Sequence, residues 1–82
     1  MRNEVLERVI LKNLSRVELG LKEKSLICAV EVEMDRYDLT TADFEDAIRS
    51  LEDRALVDRH TTLLGDTIWG ITSMGRDALK GL

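Results

Sequence analysis

Cys28 and His60 are the one cysteine and the one histidine of this chain. A reactive thiolate needs a nearby base or cation to lower its pKa, and zinc needs ligands in close sets. Cys28 and His60 stand far apart. Cys28 lies in the apolar run Leu26-Ile27-Cys28-Ala29-Val30, which predicts a buried structural cysteine. Glu31, Glu33, Asp35 and Asp38 form an acidic cluster that lacks the glycine and spacing of a calcium loop. Paired carboxylates act as general acid and base inside a cleft, and so short a chain offers no evident one. There is no phosphate-binding glycine loop and no serine-nucleophile elbow. The expectation is a protein without catalysis, metal or other cofactor.

Recognition by surfaces is the remaining chemistry. Thr62, Leu63 and Leu64 precede Gly65-Asp66, a pair with turn chemistry. Two leucines at an exposed turn predict packing on another surface, unless one of them folds back onto the core.

The 82 residues suffice for one domain, 1–82, with 44% hydrophobic and 34% charged residues, as in ordinary globular chains. A chain this short buries only about 60–65% of its unfolded surface, so a partner or a second copy adds useful burial. The formal charge is −4, from 12 basic and 16 acidic residues, which disfavours a phosphate backbone as partner. A lone cysteine suits a reducing compartment. No apolar run reaches the roughly 18 residues of a membrane span, and the N-terminus lacks a signal-peptide core. The expected location is cytoplasmic, with no membrane partner.

The elements follow from periodicity. Val5, Leu6, Val9, Ile10, Leu14 and Val17 predict an amphipathic first helix from about Asn3 to Val17, with Gly20 at or just beyond its end. Its apolar stripe is broad for a lone surface helix, so self-association is expected there or through the last helix. A second helix is predicted from about Lys22 to Val32. The strict alternation of Val30-Glu31-Val32-Glu33-Met34 also fits a strand. A polar turn runs from Asp35 to Thr41. Thr40 or Thr41 caps the third helix, with Asp43 completing a capping box on Thr40 and Leu39 and Phe44 forming a staple. This helix runs to about Arg54 with Phe44, Ala47, Ile48 and Leu51 inward. Strands are predicted at Leu56–Thr62 and Thr67–Thr72, and a brief third one near Leu19–Leu21. Thr72 or Ser73 caps a last helix to about Lys80, where Gly75 allows close backbone packing.

The run Ile48-Arg49-Ser50-Leu51-Glu52-Asp53-Arg54-Ala55-Leu56-Val57-Asp58-Arg59 is followed by the hairpin and by Trp69-Gly70-Ile71-Thr72-Ser73-Met74-Gly75-Arg76-Asp77-Ala78-Leu79. Together they resemble the LxxLExxGLVxR … ΦxLTxxGRxAL pattern of small bacterial winged helix-turn-helix regulators, over Lys22 to Leu79. The resemblance implies an α+β, mostly α fold with a three-helix core, a β-hairpin wing and a short C-terminal helix. It implies a homodimeric DNA-binding transcriptional regulator whose third helix enters the major groove. Carried onto this chain, the nucleic-acid contacts are Arg49, Arg59 and His60, with Arg76 as a positioning residue, while Arg54 and Lys80 lie nearby. The exposed third-helix positions are Thr41, Asp43, Glu45, Asp46, Arg49, Ser50, Glu52 and Asp53: five acids and one cation. Carboxylates accept from a cytosine amine but repel phosphates. The alternative is a winged helix that binds a protein through Asp43, Glu45 and Asp46 and through Leu63 and Leu64. A continuous positive face joining Arg54, Arg59, His60, Arg76 and Lys80 favours nucleic acid; a wholly acidic third helix favours protein.

Overall fold

The computed structural model describes residues 3–35 and 39–81. Seven elements run in the order α1 (Asn3–Ser15), β1 (Leu21–Lys22), α2 (Glu23–Met34), α3 (Thr41–Asp53), β2 (Val57–Thr61), β3 (Thr67–Ile71) and α4 (Ser73–Lys80). The result is a mostly helical α+β fold with four helices and one antiparallel sheet in the order β1-β3-β2. Arg36, Tyr37 and Asp38, part of the expected polar turn and acidic cluster, lie outside the described residues. No helix among the described residues is long and apolar enough to cross a membrane.

α1 is the centre of the structure. Leu6, Val9, Ile10, Leu11 and Leu14 are all buried, and the helix packs against α2, α3, α4 and β3. Its broad stripe is therefore used up inside the chain. Val5, 54% exposed, is what remains of it outside. The breadth of the α1 stripe reflects burial on several sides. The helix ends at Ser15, two residues before the expected Val17.

α2 is helical to Met34, so the alternating segment is no strand. Leu26 and Val30 face the core and Met34, one turn on, is half-buried against it. Val32 points out. Cys28 is exposed, which corrects the expectation of a buried cysteine. Leu26 and Val30 define the inner face, and a residue two steps from each lies on the opposite side of a helix with 3.6 residues per turn. Apolar neighbours in sequence are not neighbours on a helix face.

α3 has defined ends. Thr40 Oγ1 accepts from the Asp43 amide at 3.0 Å and Asp43 Oδ2 accepts from the Thr40 amide at 3.3 Å, the reciprocal capping box. Leu39 and Phe44, flanking that box, both join the core. At the other end the Ala55 amide donates to Glu52 O and the Leu56 amide to Leu51 O, a Schellman motif with Ala55 left-handed at φ 61°. Phe44, Ala47, Ile48 and Leu51 are buried, as their spacing predicts.

β2 and β3 pair from Val57↔Ile71 to Thr61↔Thr67, and β1 pairs on β3 at Leu21↔Trp69 and Lys22↔Ile68. The hairpin closes through Leu63, Leu64 and Gly65. Thr62 N donates to Asp66 O at 2.9 Å, and Gly65 N to Thr62 O at 3.0 Å. Gly65 stands at φ 86°, the left-handed residue of a three-residue hairpin loop. Thr72 caps α4 by accepting from Gly75 N at 3.0 Å, and donates to Ala55 O at 2.7 Å. α4 is thus tied to the residue that ends α3.

Candidate interaction surface

With Phe44, Ala47, Ile48 and Leu51 inward, α3 turns Glu45, Asp46, Arg49 and Asp53 fully outward. Glu52 and Ser50 sit at its margins, half-buried. Asp43 is half-buried and occupied by the capping box, so it serves the start of the helix. Carboxylates near a helix N-terminus are stabilised by its dipole, which accounts for Asp43 and does not reach Glu52 or Asp53 in the last turn.

A shallow groove of about 110 Å³ separates α3 from the sheet. Glu45, Arg49 and Glu52 line its helical side, Arg59 and Trp69 its sheet side, and Glu23 at the start of α2 its end. Arg59 and Trp69 face one another across β2 and β3. The Arg59 guanidinium carbon lies 5.6 Å from the centre of the Trp69 ring, within cation–π range. Its Nε is 3.5 Å from Glu52 Oε2. The Trp69 ring is buried and its Nε1 donates to Glu23 Oε1 at 3.1 Å. Two guanidiniums thus meet three carboxylates, and the groove carries a net negative charge. Arg49 makes no ion pair among the described residues.

The other cations stand elsewhere. His60 follows Arg59 on β2 and pairs with Ile68, so it projects from the opposite face of the sheet, beside Asp58, Glu18 and Leu19. Arg76 Nη1 donates to the carbonyl of Ser15 at 3.2 Å, where α1 ends. There it satisfies an orphan carbonyl and the negative end of the helix dipole, joining α4 to α1. Arg54 pairs with Glu7 on α1. Of the four expected nucleic-acid contacts, Arg49 and Arg59 come together, while His60 and Arg76 are directed to two other surfaces. The continuous positive face does not form.

Leu63 and Leu64 both project into solvent at the hairpin tip, 107% and 91% exposed. Neither folds back onto the core. Lys22 Nζ, on β1, is 3.5 Å from Asp66 Oδ2 beneath them.

Glu23 and Trp69 are groove residues that sequence reasoning did not single out. The available signal was the indole N–H, which needs an acceptor once the ring is buried. Glu33 belongs to the acidic cluster of the sequence, which lacks the spacing of a calcium loop. It instead joins α2 to α1: Lys12 Nζ is 3.2 Å from Oε2, and Asn13 Nδ2 donates to Oε1 at 3.1 Å. Partial burial acts to raise the Glu33 pKa, but the Lys12 and Asn13 hydrogen bonds and the Lys12 and Arg16 charges outweigh it and hold the pKa below 4.5. Among the described residues, no three His, Cys, Asp or Glu side chains gather as metal ligands.

Comparison of the chain with protein-family models, with curated proteins and with solved structures returns no match.

Proposed function

We propose that the chain is a winged helix-turn-helix module that binds a protein, with the outer face of α3 as its contact surface. The order of elements supports the winged-helix reading: α1, α2 and α3 form the helical core, β2 and β3 the wing, and α4 the closing helix. The observation that carries the function is the placement of charge. Glu45, Asp46, Glu52 and Asp53 stand along one side of α3, where Arg49 is the one cation that the helix itself supplies, and Arg59 of β2 pairs with Glu52. The remaining cations of the motif are dispersed or engaged within the fold. Duplex binding draws most of its affinity from cations on phosphates, so this surface opposes it. The partner is a protein segment with Lys or Arg side chains, and no reaction is assigned.

An NMR titration of the labelled chain tests this. At 0.15 M salt a short Lys/Arg-rich peptide is expected to give saturable shifts confined to Glu45–Asp53 and the flanking groove. The double variant Glu45→Lys/Asp46→Lys is expected to abolish them. Mixed-sequence duplex DNA is expected to give no shifts even at low salt. Duplex binding that weakens with salt and is lost in Arg49→Ala and Arg59→Ala would overturn the reading and assign the groove to nucleic acid.

A further inference from the structure

Strand register decides what covers the indole. Arg59 and Trp69 are paired across β2 and β3, so their side chains leave the sheet on one face and the arginine reaches over the ring. The indole N–H is engaged as well, donating to Glu23 at the start of α2. Trp69 is thereby a fixed aromatic surface flanked by carboxylates: Glu23 at its N–H and Glu52 beside the guanidinium that lies over it. An aromatic face beside carboxylates suits a guanidinium, which stacks on the ring and presents a fork of N–H donors to the acids. In the unbound chain that guanidinium is the chain's own.

Arg59 is held loosely. Its Nε stands 3.5 Å from Glu52 Oε2, and the two side chains are 55% and 32% exposed. An ion pair this open to water contributes little, and a cation over a ring at the surface adds only modestly to it. Arg59 stands on an edge strand, and rotation about its side-chain bonds takes the guanidinium off the ring while the backbone stays paired. The charges then call for a replacement. Glu23, Glu45 and Glu52 face Arg49 and Arg59 in the groove, so withdrawal of Arg59 leaves three carboxylates against one guanidinium. Arg49 lines the helical wall, and of the two arginines Arg59 is the one over the ring. A single incoming guanidinium restores both the stacking and the charge. A lysine ammonium restores the charge but has neither the plane nor the fork.

We infer that the groove between α3 and the sheet takes one arginine side chain of the partner, in the place that Arg59 occupies in the unbound chain, and that Arg59 is its built-in competitor. This rests on the protein-binding function proposed above and narrows the partner from a basic segment to an arginine-bearing one. Apparent affinity falls in proportion to the share of molecules whose ring is already covered, so removal of Arg59 strengthens binding.

Hexa-arginine and hexa-lysine peptides, titrated at 0.15 M salt into the full chain, Arg59→Ala and Arg49→Ala, test this. Arg49→Ala removes the same charge from the same groove but uncovers no ring. Amide shifts over Glu45–Asp53 read binding to the α3 face, and the emission of Trp69, the only tryptophan, reads occupation of the ring. Arg59→Ala is expected to bind hexa-arginine about fivefold more tightly than the unaltered chain does, and hexa-lysine no more tightly than Arg49→Ala does. Trp69 emission is expected to change with hexa-arginine and to stay constant with hexa-lysine. Circular dichroism checks each fold, and Arg59→Gln, which keeps part of the side-chain stem, is read in place of an Arg59→Ala chain that has lost its fold. A gain for hexa-arginine in Arg59→Ala no larger than in Arg49→Ala overturns the inference and leaves the α3 face as the contact surface. Amide shifts over Glu45–Asp53 with neither peptide overturn the protein-binding function itself, and the inference with it.

Discussion

Gly75→Ala sets two effects of opposite sign against each other. Gly75 is the third residue of α4, and by helix propensity alone alanine gains about 1 kcal/mol there. The tertiary contact opposes it. A Cβ on Gly75 collides with the carbonyl oxygen of Leu56 and comes within 2.7 Å of Ile71 Cγ1. The first obstacle is backbone and cannot rotate away. It is also held, because Leu56 O accepts from Thr72 N at 3.1 Å. Relief requires α4 to lift from the sheet. Overpacking of this kind costs about 1–3 kcal/mol, and a lost hydrogen bond adds about 0.5–1.5 kcal/mol. The collision wins, for a net loss of about 2 kcal/mol. In a chain of this size that lowers Tm by roughly 8–16 °C. Urea unfolding followed by the fluorescence of Trp69, the only tryptophan, measures the change. Gly81→Ala is the control, since a Cβ there meets only ordinary contacts at 3.6 and 3.8 Å. A Gly75→Ala midpoint at or above that of the unaltered chain would refute the reasoning, and would mean that α4 is not held against Leu56.

Ala55→Gly is expected to stabilise the chain by about 1 kcal/mol, because alanine at φ 61° carries a left-handed penalty that glycine lacks; the same urea titration checks it. Phe44→Ala is expected to cost about 3–5 kcal/mol, Phe44 being fully enclosed at 1% exposure, and a measured loss below about 1 kcal/mol contradicts its place in the core. Glu33 has a pKa lowered below 4.5, so its ion pairs stabilise the fold above that pH and lose their effect as pH falls through the lowered value. Glu33→Gln is expected to cost about 0.5 kcal/mol at pH 7, a difference that vanishes in acid when both proteins are unfolded thermally across pH.

Wherever local chemistry is sufficient, the sequence alone determines this structure. Thr40 and Asp43 complete a capping box whose two hydrogen bonds lie within one turn, so its residues are adjacent in the chain. The inward set Phe44, Ala47, Ile48 and Leu51 follows from helical period, and Gly65 from the demand of a short hairpin loop. The element order follows from the same rules. α2 shows where they weaken. A five-residue alternation fits strand and helix alike, and the burial of Val30 with Leu26 in the core settles it. Cys28 has apolar neighbours in sequence yet is exposed, because exposure depends on angle around the helix.

Tertiary structure alone decided which charges meet. Arg59 and His60 are consecutive, yet strand pleat sends them to opposite faces. Arg76 is exposed by pattern, yet the end of α1 is within its reach, from 61 residues away in the chain. Trp69 calls for an acceptor, but only the fold supplies Glu23. The breadth of the α1 stripe likewise acquires meaning only once four other elements close around it. Capping and periodicity are short-range and are written in adjacent residues. Electrostatic partners are chosen by distance in space, which depends on every element at once.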